Sequence, residues 1–305
     1  MSLTAPQDEV RPAAAAKVTP QSLLAQKQGA AAITALTAYD YPTARLADEA
    51  GIDVVLVGDS LGMAVLGYEH TLSVTLEDML HHARAVRRGT QRALLVVDMP
   101  YGSYHVSPEE TMRNALRLVK EGGAEAVKVE GGAARVDVVR ALTMAEIPVV
   151  AHIGLTPQSL HRMGGYRVQG RDEETAAQLR DDALALEEAG AIALVLEGIP
   201  RELALDITSL LSIPTIGIGA GPDCDGQILV FHDVFSLSFR KPPKFVRTFG
   251  DAASLIRNGL SAFREAVEAR EFPNNQESYH FSQRLSLTRQ DADTVDSVEH
   301  TACVS

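Results

Sequence analysis

The sequence predicts an α/β protein: a (β/α)8 TIM barrel in a single domain, with disordered N- and C-terminal tails. Three observations carry that prediction. Eight short apolar runs bounded by Gly or Pro recur along the 305 residues, mostly separated by helical stretches. Three segments share one design: EAGIDVVLVGD (49–59), EGGAEAVKVE (121–130) and EEAGAIALVLE (187–197). Each ends a helix at a glycine able to take the left-handed conformation, turns, runs as a strand and closes on an acidic residue. No linker-like break interrupts the pattern between residues 18 and 281, the span assigned to the catalytic barrel.

In chain order, residues 1–17 read as a disordered leader, Ala-, Pro- and polar-rich without periodicity. The strands are expected at ITALTAY (33–39), DVVLVGD (53–59), ALLVVDM (93–99), AVKVE (126–130), PVVAHIG (148–154), ALVLEG (193–198), PTIGIGA (214–220) and QILVFHD (227–233). Strands alternating with helices imply βαβ units, and parallel strands covered on both faces should be apolar nearly throughout. EIPVVAHIG (146–154) and SIPTIGIGAG (212–221) form a second echo, each opening its strand with Pro, where a missing N–H costs least. QILVFHD is the weakest strand; without it the pattern also suits an open doubly wound sheet. Residues 282–305, rich in Ser, Thr, Asp and Gln, read as a disordered tail.

Composition narrows the function. A formal charge of −12 argues against nucleic acid as a partner, since phosphate binding needs an excess of Lys and Arg. No apolar run reaches bilayer-spanning length, and the N-terminus lacks a basic-then-apolar signal pattern. The two cysteines, Cys224 and Cys303, make neither a disulfide framework nor a zinc cluster, so a cytoplasmic setting is expected.

The strand ends carry the candidate chemistry, because barrel active sites lie where strands end. Asp59, Asp98, Glu130, His152 and Glu197 stand there, with Ser60 directly after Asp59. Four carboxylates at one mouth repel one another unless a divalent cation is held among them, and oxygen donors without Cys favour Mg²⁺. The competing reading makes each a helix N-cap. It explains Asp98 poorly, since DMPYGSYH enters a loop. Lys128 and Glu130, two apart on one strand, point to one face; Val127 and Val129 point to the other. The lysine reads either as a partner for a substrate carboxylate or as half of a structural ion pair. Glu197 reads as a fourth ligand, a helix cap or a general base, and His152 as a hydrogen-bond partner in the site or a core histidine. GIGAGPDCDGQ (217–227) suits a backbone-anion loop or tight packing, and HRMGGYRVQGR (161–171) a lid or a solvated loop.

At this point a resemblance enters. TAYDYPTARLADEAGIDVVLVGDSLGM (37–63), DMPYGSY (98–104), VKVEGG (127–132), HIGLTPQS (152–159), GGYRVQGR (164–171), LEGIP (196–200) and IGIGAGPDCDGQILV (216–230) resemble the ketopantoate hydroxymethyltransferases, collinearly from about residue 18 to 281. The resemblance implies a Mg²⁺-dependent barrel, a homodecamer in the cytoplasm. It implies transfer of a hydroxymethyl unit from 5,10-methylenetetrahydrofolate to the 2-oxo acid 3-methyl-2-oxobutanoate, giving 2-dehydropantoate in pantothenate biosynthesis through a Mg-stabilised enolate. By motif, it makes Asp59 a metal ligand and substrate contact and Ser60 a substrate contact. Asp98 becomes a second ligand that also touches substrate, Lys128 the partner of the substrate carboxylate, Glu130 a ligand directly or through water, and Glu197 the proton acceptor. His152 is given a supporting role, and no short motif marks the folate pocket. Two alternatives stand beside this. One is a Mg-dependent lyase of the phosphoenolpyruvate mutase and isocitrate lyase type, which the lack of a cysteine after the third or fourth strand counts against. The other is a non-catalytic ligand-binding barrel, which should have lost an acidic or lysine position.

Overall fold

The computed structural model describes residues 16–27, 29 and 31–280. The expected tail at 282–305 and all but the end of the expected leader lie outside the described residues. Lys17, at the leader's end, is described: its Nζ lies 2.6 Å from Glu125 Oε2 and donates to the Ala93 carbonyl at 2.7 Å.

Eight parallel strands form a closed barrel in sequence order, so the open sheet is excluded. They are β1 (Ile33–Thr37), β2 (Val54–Val57), β3 (Leu94–Asp98), β4 (Ala126–Glu130), β5 (Val149–Gly154), β6 (Ala193–Glu197), β7 (Thr215–Ile218) and β8 (Gly226–Leu229). Around and between them run α1 (Pro20–Lys27), α2 (Tyr41–Glu49), α3 (Leu61–Ala64), α4 (Leu76–Gly89), α5 (Pro108–Lys120), α6 (Val136–Met144), α7 (Leu160–Met163), α8 (Glu173–Glu188), α9 (Arg201–Leu210) and α10 (Phe231–Val234). The chain divides into two compact units at Ala252–Ala253. The second contains nearly all of α11 (Ala252–Glu268), whose Leu255, Leu260 and Phe263 are exposed.

Local sequence explains the helix starts. Asp40, Thr75, Ser107 and Asp172 each accept a backbone N–H of the following helix, and Thr75 with Asp78 completes a capping box. Charges complement the α4 dipole, with Glu77 and Asp78 in its first turn and Arg87 and Arg88 in its last.

One strand departs from expectation. QILVFHD was read as strand to residue 233, but β8 ends at Leu229 and Phe231–Val234 is helix. The Phe231 N–H donates to Thr37 Oγ1, and the Val230 carbonyl accepts from Asp233, so the chain turns before His232 and Asp233. The barrel still closes there, through Ile33 beside Gly226. A Cβ on residue 226 would lie 2.5 Å from the Ile33 carbonyl oxygen, so only glycine fits the seam. β1 and β8 are also less uniformly apolar than expected, since Thr34 and Gln227 are exposed.

The strands alternate as parallel strands between two apolar layers should. Val54, Leu56, Val96, Ala126, Val150, Val195 and Ile216 pack inside the barrel with Val18 and Leu23 of the N-terminal segment. Val55, Val57, Val97, Val127, Val129 and Ala151 pack outward with the helices. The barrel interior is thus closed by apolar side chains, and polar groups gather only near its mouth.

At the opposite rim, acidic residues just before strands bind an N–H at the start of the neighbouring strand. Asp53 Oδ2 accepts from the Thr34 backbone N–H at 3.0 Å and hydroxyl at 2.8 Å, while Asp53 Oδ1 meets Arg92 at 2.8 Å. Asp225 does the same for Thr215, at 2.8 and 3.1 Å, and pairs with Lys27 at 2.8 Å. Burial pushes the Asp53 carboxyl up, but the Thr34 donors and Arg92 outweigh it and hold it below its ordinary 3.8. A depressed folded value means the stabilisation is complete above pH ~4 and fades as pH falls through the folded value. We therefore expect Asp53→Asn to lower stability at pH 7 by about 1 kcal/mol or more. It should also flatten the acid limb below pH ~4. Urea unfolding at pH 7 and pH 3.5 checks this; parallel losses for both proteins would sink it.

Candidate active site

The strand register builds the site. Asp98 on β3 lies directly beside Lys128 on β4, and Glu130 lies beside His152 on β5. Glu197 is one rung higher on β6, beside Gly154. Asp59 follows β2, where its backbone N–H donates to Asp98 Oδ2 at 3.0 Å. Lys128 and Glu130 share the inner face, as their spacing predicts.

Asp59, Asp98 and Glu130 come together: each offers an oxygen within 4.8 Å of the others, and all three are buried. None caps a helix. Ser60 and Pro200, the N-cap residues of the helices after Asp59 and Glu197, make no side-chain cap, and the helix after Asp98 is capped by Ser107. Glu197 is not part of that tight trio, though all four carboxylates line one cavity. Glu197 Oε2 lies 3.3 Å from His152 Nε2.

Electrostatics then asks for a cation. Lys128 Nζ lies 3.1 Å from Asp98 Oδ1 and 3.2 Å from Glu130 Oε1. One ammonium therefore serves three carboxyl groups. Burial, and then Glu130 and Asp98, hold Asp59 well above the usual carboxylate range. Burial likewise raises Asp98 despite Lys128. Glu130 resists burial because Lys128 and His152 face it, and it is pushed down to about 2. A divalent cation would relieve the repulsion among them and bring three carboxylates and one ammonium to neutrality. Asp98 Oδ1 is buried without a hydrogen-bond partner; its contact with Lys128 is an ion pair lacking hydrogen-bond geometry. These residues fit a hard divalent metal, with oxygen donors only.

The tautomer of His152 follows from its neighbours. Burial, the largest influence, and Lys128 oppose protonation, while Glu130 and Glu197 favour it and lift the ring to about 9. Its Nδ1, however, lies 3.1 Å from Lys128 Nζ. In the neutral ring Nδ1 would accept from that ammonium and the proton would sit on Nε2, facing Glu197 Oε2 at 3.3 Å. The protonated ring faces a carboxylate from both nitrogens, Nδ1 lying 3.5 Å from Glu130 Oε1.

Above these groups lies a cavity of about 110 Å³, polar along Asp59, Ser60, Asp98 and Lys128 and apolar along Leu56, Val195, Ile218 and Ile228. At roughly 10–15 Å³ per water position, it has room for a small branched acid. Tyr39 holds Ser60 at its edge, hydroxyl to hydroxyl at 2.7 Å.

Other expectations resolve toward packing. In the 217–227 stretch, a Cβ on Gly217 would lie 2.9 Å from Cys224 Sγ and one on Gly219 2.6 Å from the Phe245 ring. Close approach explains those glycines. In the 161–171 loop, the Gln169 N–H donates to the Gly198 carbonyl at 2.9 Å, and the Tyr166 hydroxyl reaches Met63 Sδ at 3.7 Å.

Sequence reasoning assigned no role to Tyr39, Tyr104 or Gln158, though all three lie in motifs it singled out. Gln158 sits in the 3-10 turn Pro157–Ser159 after β5, yet its amide reaches Asp59 Oδ2 at 2.9 Å. A polar residue after a strand gives no signal that it binds a side chain 99 positions away.

Comparison with known proteins agrees with this geometry. The family model described as ketopantoate hydroxymethyltransferase matches residues 17–275. A 3-methyl-2-oxobutanoate hydroxymethyltransferase of Koribacter versatilis (strain Ellin345) is 59% identical over 272 residues, covering 89% of this chain and 92% of that protein. One from Thermoanaerobacter sp. (strain X514) is 53% identical over 268 residues, covering 88% and 98%. Among solved structures, 2,3-dimethylmalate lyase, a PEP mutase/isocitrate lyase superfamily member, shares the fold at a TM-score of 0.51 and 21% identity, covering 91% of this chain and 94% of that one.

Proposed function

This chain belongs to the ketopantoate hydroxymethyltransferase family and is an enzyme of that family, and on that premise we propose that it moves a hydroxymethyl unit from 5,10-methylenetetrahydrofolate to 3-methyl-2-oxobutanoate, giving 2-dehydropantoate for pantothenate biosynthesis. The observation that carries this reading is the trio Asp59, Asp98 and Glu130 beside Lys128, with Glu197 lining the same small cavity. Asp59, Asp98 and Glu130 would hold Mg²⁺, which when bound supplies Lewis-acid polarisation of the 2-oxo group.

The chain's own residues do the rest. Lys128 offsets the substrate carboxylate and holds it in register, with Ser60, Asp59 and Asp98 as further contacts. The apolar wall takes the branched carbon end. Glu197 accepts the C3 proton, and C3 of the resulting enolate bonds to the methylene carbon of the donor. Both C–N bonds of that carbon break, water supplies the hydroxyl oxygen, and tetrahydrofolate leaves carrying the C3 proton and the proton of the water. His152 presents its Nε2 to Glu197 and steadies that carboxylate. A homodecamer in the cytoplasm completes the reading. No membrane-length apolar helix occurs among the described residues.

The lyase reading is the weaker one. The solved structures of that superfamily agree with this chain at 21% identity or below, which speaks to fold alone, whereas the transferases are more than half identical. The deciding assay supplies 3-methyl-2-oxobutanoate and 5,10-methylenetetrahydrofolate with Mg²⁺ or with excess EDTA. We expect 2-dehydropantoate only with the metal. Full turnover in EDTA would remove the metal from the mechanism, and no product in either arm would remove the transferase reading.

A further inference from the structure

We propose that Gln158 is the positioning residue that sets the spacing of Asp59 and Glu130 and so the affinity of the metal seat, a proposal that rests on reading those carboxylates as ligands. Gln158 reaches both by hydrogen bonds: its side-chain Nε2 donates to Asp59 Oδ2 at 2.9 Å, and its backbone N–H donates to Glu130 Oε2 at 3.1 Å. It therefore ties down one oxygen on each of two carboxylates, while Glu130 Oε1 accepts from Lys128 at 3.2 Å.

The amide cannot rotate without loss. Nε2 also donates to the Met99 carbonyl at 3.0 Å, which only accepts, so the nitrogen must face that side. Oε1 then accepts from the Tyr104 hydroxyl at 2.6 Å, whose oxygen in turn lies 3.3 Å from the Glu130 backbone N–H. A flipped amide would set oxygen against the Met99 carbonyl and the Asp59 carboxylate. Gln158 and Tyr104 are 5% and 2% exposed. Both polar side-chain atoms of Gln158 and its backbone N–H are engaged, which is the arrangement that locks a ligand's orientation. Tyr104 thus fixes the amide, and the amide fixes the spacing of two ligands contributed by β4 and by the loop after β2.

The test uses the full chain stripped with EDTA and titrated with Mg²⁺ by calorimetry, for wild type, Gln158→Met and Tyr104→Phe. Outer-shell partners of this kind are worth roughly 10–100-fold in metal affinity. Gln158→Met keeps the backbone bond to Glu130 and loses the bond to Asp59. We expect its Kd and its half-activating Mg²⁺ concentration to rise by about 10–100-fold, with most of kcat recovered at saturating metal. Tyr104→Phe should shift both in the same direction by less. A merely structural role would lower the unfolding midpoint without moving the Mg²⁺ requirement. Wild-type binding with an unchanged Kd in both variants overturns the proposal alone. If Gln158→Met does not fold, Tyr104→Phe decides, and an unchanged Kd there overturns it. A wild-type chain that takes up no Mg²⁺ overturns the metal reading, and this proposal with it.

Discussion

Glu197→Gln is expected to abolish C3 proton exchange. With Mg²⁺, the wild-type protein should exchange the C3 proton of 3-methyl-2-oxobutanoate for deuterium in D2O, seen by NMR without any folate present. A positioned general base contributes about 10²–10⁴-fold, and the variant should lose a factor of that size. The substitution is nearly isosteric. Glu197 lines the cavity and lies 3.3 Å from His152 Nε2, outside the carboxylate trio, so removing its charge leaves the proposed ligands in place. Mg²⁺ affinity should therefore stay within a few-fold of wild type, which separates a lost base from a lost metal. Exchange at the wild-type rate in Glu197→Gln would dismiss Glu197 as the base. Lost exchange together with lost metal binding would reassign it as a ligand.

Asp98→Asn should have the opposite signature. The retained carbonyl still accepts the Asp59 N–H, so the local backbone contact survives, but one of three buried negative charges is gone. Without metal the variant should be at least as stable as wild type, because the carboxyl groups facing Lys128 repel one another less. With metal the order reverses. At a Mg²⁺ concentration of about 100 times the wild-type Kd, binding stabilises the folded state by about 2.7 kcal/mol. A 100-fold weaker variant would gain only about 0.4 kcal/mol at the same concentration. Thermal unfolding in EDTA and in Mg²⁺ reads both halves. Equal Mg²⁺ stabilisation of the two proteins would refute Asp98 as a ligand.

Much of this architecture was legible before any coordinates, and particular residues show why. Val54 to Val57 and Leu94 to Val97 are apolar at every position because a barrel strand is covered on both sides, so their runs marked the strands directly. Lys128 broke such a run, and a cation there has few physical explanations beyond facing other charges. Strand ends were harder. QILVFHD reads as one apolar run, but the Phe231 N–H finds Thr37 Oγ1, nearly two hundred residues earlier, and the strand stops. The cap reading of the acids fails for a similar reason: caps are local, whereas these acids face one another across strands, and the helix after Asp98 is capped by Ser107.

The sequence by itself determined the eightfold alternation, the face on which Lys128 and Glu130 lie, and the family resemblance. Each depends on periodicity or contiguous motifs, which a chain displays along its own length. Closure of the barrel over an open sheet was settled by the structure. Only the tertiary structure decided that three of the four carboxylates in the cavity form a tight group, that His152 lies between Lys128 and Glu197, and that Gln158 ties Asp59 to Glu130. Those facts depend on strand register around a closed ring. Register brings residues dozens of positions apart within a few ångströms, and that distance is set by the packing of the whole barrel and by no local run of residues.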